Sequence, residues 1–119
     1  MTAHIIKIGI PGAAGRMGRM LIREIDAAQD LELVAASDRA GTDSIGQDSG
    51  LLARTGSNGI IIGDDPAALT AADVIIDFTS PAASVAHARI AQRTTIFTNS
   101  ALAFTAAPRG HTRTRTAVV

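Results

Sequence analysis

The sequence has no cysteine, tryptophan or tyrosine, and only three phenylalanines among 119 residues. Without cysteine there is no disulfide framework, no thiolate nucleophile and no zinc–thiolate site. No apolar run approaches the ~20 residues of a membrane-spanning helix, and no charged-then-apolar leader precedes the first strand signal. Acidic residues are missing from one end. Residues 1–88 carry all eleven acids against six bases, a net of −5, whereas residues 89–119 carry five arginines and no acid. The formal charge of zero is therefore the sum of two unlike pieces. What is present is 46% apolar content in a length suited to one small domain, with alanine forming about a fifth of the chain.

The order of elements is legible from apolar runs and punctuation. His4–Ile10 is rich in β-branched residues and ends at Pro11-Gly12, as a buried strand entering a turn does. Arg16–Ala28 is expected to be helical, with Met17, Leu21, Ile25 and Ala28 along one face. Leu31–Ala36 is a second strand, and a Gly/Ser/Asp-rich stretch from Asp38 to Gly59 follows, with a short helix expected near Leu51–Ala53. Ile60–Ile62 is expected as a short third strand. Asp65 is a candidate N-cap before Pro66, opening a short helix to Ala72. Val74–Phe78 is a fourth strand, and Ser80-Pro81 opens a helix to about Gln92. Ile96–Phe97 offers a fifth strand, and Pro108–Thr116 is expected to be disordered.

Strands alternating with helices indicate right-handed crossovers and a Rossmann-like, doubly wound parallel sheet. Four to five strands are expected, incomplete toward the C-terminus. With strand order 3-2-1-4, a ligand sits between the ends of strands one and four. The tips there are Pro11–Gly18 and Phe78–Pro81.

Three motifs fall at or beside those tips. Gly12, Ala13, Ala14, Gly15, Arg16 and Met17, followed by Gly18, lie between a strand and an amphipathic helix. Glycines at this spacing let backbone N–H groups and a helix N-terminus face a pyrophosphate. The alternative is a plain glycine-rich turn. Asp38, twenty residues beyond Gly18, is placed to bind an adenosine ribose, and the adjacent Arg39 to pair with a 2′-phosphate. Together they imply use of NADH or NADPH; the alternative is a solvated ion pair in a turn. Asp77-Phe78-Thr79-Ser80-Pro81 forms the other lip, where Phe78 and Thr79 are candidates for the nicotinamide end. The alternative is a core phenylalanine and a helix cap.

Other polar residues carry less. His4, His87 and His111 share no metal-ligand spacing, and no metal site is expected. Asp64-Asp65 fits a turn and cap better than a catalytic pair. Arg113 and Arg115 lack the interleaved aromatics of a nucleic-acid surface, so no nucleic-acid partner is expected.

IGIPGAAGRMGRMLI, ASDRAG and VIIDFTSP, in that order and spacing, resemble the N-terminal domain of the 4-hydroxy-tetrahydrodipicolinate (dihydrodipicolinate) reductases over about residues 5–91. The resemblance implies a cytoplasmic homotetramer of the diaminopimelate/lysine pathway that reduces a small cyclic, imine-forming substrate with NADH or NADPH. It places Gly12 through Met17 on the cofactor phosphates, Asp38 and Arg39 on the ribose or its 2′-phosphate, and Phe78 and Thr79 near the nicotinamide. The family's next strand ends in a Gly-Thr-Thr-Gly turn, where this sequence has Thr98-Asn99-Ser100-Ala101. A truncated enzyme is therefore expected. It would have a dinucleotide-binding domain over 1–92, a divergent, weakly structured basic tail over 93–119 and no substrate domain. No catalytic residue is assigned. The change of character near Arg89–Arg93 raises the expectation that the reading frame was lost there. The alternatives are a non-catalytic NAD(P)-binding or redox-sensing module and another Rossmann oxidoreductase, such as one of the glucose–fructose type.

Overall fold

The structure is a computed structural model and describes residues 5–77, 79, 95–98 and 116–118. Strand β1 (Ile6–Pro11) leads through the glycine loop to helix α1 (Arg16–Ala27) and strand β2 (Leu31–Ser37). A one-turn helix α2 (Ser49–Leu52) and a 3₁₀ helix (Pro66–Ala71) precede strand β3 (Val74–Asp77). Strands β4 (Thr95–Thr98) and β5 (Thr116–Val118) complete one sheet in the order β2-β1-β3-β4-β5. Every neighbouring pair is parallel.

Both faces of the sheet are covered near its centre. On one side Ile8, Ile10, Leu33 and Ala36 pack with Ile22 and Ile25 of α1 and with Ile62. On the other, Ala35 and Ile75 pack with Leu69 and Ala72 of the 3₁₀ segment. Consecutive residues such as Ala35 and Ala36 face opposite layers, which is why the strands read as continuous apolar runs. Burying an isoleucine such as Ile10 or Ile75 contributes on the order of 2 kcal/mol. Asp73 registers β3 on β1: its carboxylate accepts from Lys7 N–H at 3.0 Å, and its own N–H donates to Lys7 O at 2.8 Å.

Several expectations are met with adjusted ends. The sequence places α1 to within one residue, α2 two residues late, and Asp65 where it caps the 3₁₀ segment by accepting from Ala67 N–H at 2.9 Å. Ile96 and Phe97 do lie in a strand, so β3 has a neighbour on its outer side. The helix expected over 81–92 lies outside the described residues, as does most of Pro108–Thr116, although Thr116 begins β5.

Two expectations are corrected. Ile60–Ile62 is no strand of the sheet. Its peptide groups pair back onto residues 46–49, with Gly46 N–H donating to Ile62 O, Ile62 N–H to Gln47 O and Ser49 N–H to Ile60 O. Only Gly63 reaches the sheet, in a single parallel bridge to Ser37.

The buried face of α1 is also rotated from the expected one. Gly18, Ile22 and Ile25 point inward, whereas Met17 is 39% exposed. The cause is Gly18. A Cβ there would lie 2.3 Å from Gly12 O and under 3 Å from Ala13 Cα and C, so only glycine lets the helix sit this close to the loop. Gly18→Ala forces backbone apart and is expected to cost about 2 kcal/mol net of its gain in helix propensity. That corresponds to a thermal midpoint lower by about 8 °C. Gly63→Ala meets open space at an ordinary φ and should leave the midpoint within about 2 °C in the same thermal melt.

Candidate dinucleotide-binding site

The loop between β1 and α1 is built by its own amides. Gly12 adopts φ +70°, the left-handed conformation that a side chain disfavours. Its carbonyl accepts from Gly15 N–H at 3.0 Å, and Ala13 N–H donates to Ser37 O at the end of β2, also at 3.0 Å. Gly15 is the N-cap of α1 and supplies no side-chain cap, and the first turn holds no acid. The first i→i−4 bond of the helix is Arg19 N–H to Gly15 O, so the amides of Arg16, Met17 and Gly18 precede the internal ladder. An uncompensated helix N-terminus with Arg16 exposed at its first position fits a phosphate. The amides of Ala13, Ala14 and Gly15 are engaged within the fold, so the first turn of the helix is where the loop offers donors to a ligand.

Asp38 joins this loop to the end of β2. Its Oδ2 accepts from Ala14 N–H at 3.0 Å and its Oδ1 from Arg39 N–H at 2.8 Å. Its own N–H donates to Gly63 O at 2.9 Å. The carboxylate is thus held by backbone on two sides, and its bond to Arg39 is to the backbone amide and not to the guanidinium. Each oxygen keeps a further lone pair for hydroxyl donors. Arg39 is exposed beside it.

The other lip approaches the same loop. Thr79 donates through both N–H and Oγ1 to Oδ1 of Asp77, a fully buried carboxylate at the end of β3. Its Cγ2 would be 2.9 Å from a Cβ on Gly12, which places the β3 tip against the glycine loop. Of the expected residues, the structure brings together Gly12, Ala13, Ala14, Gly15, Asp38 and Thr79, with Arg16, Met17 and Arg39 at the rim. Phe78, His4, His87 and His111 lie outside the described residues. None of the candidate site residues among the described residues lines the groove of about 240 Å³ between the C-terminal half of α1, the start of β2, Asn58 and Ile60.

Sequence reasoning passed over Asp48. Its Oδ1 accepts from the amides of Gly50, Leu51 and Asn58, and its Oδ2 from Ser57 Oγ and Gly59 N–H, over 2.8–3.2 Å. The Asp-Ser-Gly triplet before Leu51 was the available signal for the cap, but nothing local announces the bonds to residues 57–59. Desolvation pushes this carboxyl up, and the bonds from Leu51, Ser57, Asn58 and Gly59 outweigh it, holding Asp48 well below the usual carboxylate range. A depressed folded-state value contributes stability that is fully present above the unfolded value, ~3.9, and fades as pH falls through the folded one. The gap in thermal midpoint between the wild type and Asp48→Asn should therefore stay constant from about pH 7 to pH 5 and shrink below about pH 4. A gap that widens on acidification would contradict the assignment.

A parallel sheet covered on both faces, with a glycine loop feeding a helix N-terminus and an acid closing the next strand, defines a Rossmann-like dinucleotide-binding domain. The chain belongs to the family described as dihydrodipicolinate reductase, N-terminus, whose model matches residues 6–98 and so runs through β4, past Arg89–Arg93. It is 58% identical over 79 residues to the 4-hydroxy-tetrahydrodipicolinate reductase of Alkalilimnicola ehrlichii, covering 66% of this chain and 30% of the relative. The enzyme of the same description from Ralstonia nicotianae is 51% identical over 89 residues, with 73% and 33% covered. The chain spans about a third of the length of these relatives. These relatives are oxidoreductases, and the matched domain is their NAD(P)H-binding domain. Among solved structures, a dipicolinate-bound dihydrodipicolinate reductase from Paenisporosarcina sp. TG-14 superposes with TM-score 0.61 at 19% identity, covering 81% of this chain and 37% of that one. An amine dehydrogenase from Mycobacterium smegmatis gives TM-score 0.63 at 21% identity, covering 78% and 29%. The superpositions establish the fold, and the sequence matches establish the family.

Proposed function

We propose that this chain is the cofactor-binding part of a reductase that transfers a hydride from NADH or NADPH to 4-hydroxy-tetrahydrodipicolinate in diaminopimelate/lysine biosynthesis. The observation that carries the reading is the Ala14 N–H to Asp38 Oδ2 bond, which fixes a ribose acid to a phosphate loop. In this reading the first turn of α1 takes the pyrophosphate, Asp38 the ribose hydroxyls, Arg39 a 2′-phosphate, and the Thr79 tip faces the nicotinamide, with Phe78 beside it. The bound nicotinamide supplies the hydride. Asp77 keeps the Thr79 hydroxyl and amide turned into the fold and leaves its methyl against Gly12. No proton donor is assigned within this chain, so turnover belongs to the whole enzyme. Homotetrameric assembly and a cytoplasmic location are part of the same family-based proposal. So is a boundary between the binding domain and a divergent basic tail, at residue 92 by composition.

Thermal-shift titration of the full chain tests the site, because a ligand that binds only the folded protein raises its midpoint. Asp38→Ala should weaken NADH on the order of tenfold and NADPH much less, since it removes hydrogen bonds to an ionised acceptor. Arg39→Ala should weaken mainly NADPH. Equal losses for both cofactors in both variants would remove the ribose assignment.

A further inference from the structure

The segment after β2 leaves the sheet over residues 38–62 and comes back to it at a single point, Gly63. There Gly63 N–H donates to Ala36 O at 3.1 Å and Gly63 O accepts from Asp38 N–H at 2.9 Å. One residue thus stands where a neighbouring strand would, and it supports the backbone of the acid that closes β2. What fixes Gly63 is the narrow ladder behind it, in which residues 60–62 pair with residues 46–49. The end of that ladder remote from Asp38 is shut by one side chain. Asp48 draws in the amides of Asn58 and Gly59 and the Ser57 hydroxyl on one side, and on the other the amides of Gly50 and Leu51 in α2. Asn58 extends the clasp, its Oδ1 accepting from Ile60 N–H at 2.9 Å and from Ser49 Oγ at 3.1 Å.

We infer that Asp48 is a positioning residue for cofactor selection, holding Gly63 against β2 so that Asp38 presents its carboxylate to the ribose. This rests on the ribose-binding reading of Asp38. Asp48 touches no cofactor; it acts through the ladder, Gly63 and the Asp38 amide. When the clasp opens, Asp38 loses the bond from its own amide to Gly63, the backbone that carries it is no longer fixed against its neighbour, and its carboxylate no longer has one orientation. Hydroxyl recognition depends on that orientation, whereas Arg39, reaching a 2′-phosphate with a long exposed side chain, depends on it little. Opening the clasp is therefore selective against NADH.

Equilibrium titrations of the full chain with NADH and with NADPH, on Asp48→Ala, Asp48→Asn, Asp38→Ala and the Asp38/Asp48 double alanine variant, test this. Asp48→Asn keeps an acceptor for Gly50, Leu51 and Asn58 while turning an amide toward Gly59 N–H. It gives a reading even where Asp48→Ala does not fold. Both Asp48 variants should weaken NADH on the order of tenfold and NADPH less than about threefold. The double variant should bind NADH no more weakly than Asp38→Ala, the non-additivity of residues acting through one path. Leu69→Ala, a cavity on the opposite face, should lower the thermal midpoint without moving the preference. Equal weakening of both cofactors, or additive losses in the double variant, reduces the clasp to a stability element and overturns the inference. A preference shift in Asp38→Ala with none in the Asp48 variants overturns it alone. No shift in Asp38→Ala overturns the ribose reading first.

Discussion

The contact between Gly18 and the carbonyl of Gly12 sets the geometry on which everything else in the N-terminal unit depends. Because nothing larger than hydrogen fits, α1 approaches the loop to backbone distance and its rotation is fixed. Ile22 and Ile25 then reach the Ile8–Ile10 face of the sheet, and Met17 and Met20 are left outward. The same approach places the uncapped first turn directly behind the loop that Thr79 meets from the other side. Core packing and ligand geometry are here one constraint. A helix rotated to bury Met17 would turn Ile22 out of the core and carry its first-turn amides away from the loop.

Carboxylates organise most of what surrounds that contact. Asp38, Asp48, Asp65, Asp73 and Asp77 each accept at least one backbone amide at the end of a strand, helix or turn. An excess of acid over residues 1–88 is therefore no mere solvated face. In a chain rich in alanine and poor in aromatics, such bonds supply fixing that side-chain volume does not. The geometry also explains how Asp77 is buried: its Oδ1 accepts both donors of Thr79.

Much of this was legible in the residues, and the failures share a cause. Gly12 through Gly18, Asp38 and the Asp65-Pro66 cap carry local signals in their spacing and residue type, and they stand after β1, after β2 and at the start of the 3₁₀ segment as those signals imply. The face of α1 was misread because apolar periodicity gives weight to Met17 and none to Gly18, while close packing does the reverse. Ile60–Ile62 carries the β-branched signature of a strand, but composition reports an extended chain and is silent on which chain it pairs with. Residues 46–49 won over β2. Asp48 was missed for the same reason, its partners at Ser57, Asn58 and Gly59 lying 9, 10 and 11 residues away. The change of charge at residue 89 marks a shift in composition, yet the family match continues through Thr98, so the two boundaries are distinct.

The two residues after β2 differ in how prepared they are. Asp38 is held at both oxygens and at its own amide, so in the proposed reading a ribose would meet an acceptor whose ordering was completed during folding. Arg39 offers a charge on an exposed stem and must be ordered when a 2′-phosphate arrives, at a cost of about 1 kcal/mol. The stronger, charge-assisted pairing of guanidinium with phosphate offsets that ordering. In that reading a rigid weaker contact and an exposed stronger one offset each other, and a site with both would accommodate either cofactor without a second pocket. On the proposed roles the balance is set in the scaffold as much as in the contact residues: whatever loosens the backbone beneath Asp38 would remove the advantage of preorganisation from one cofactor only.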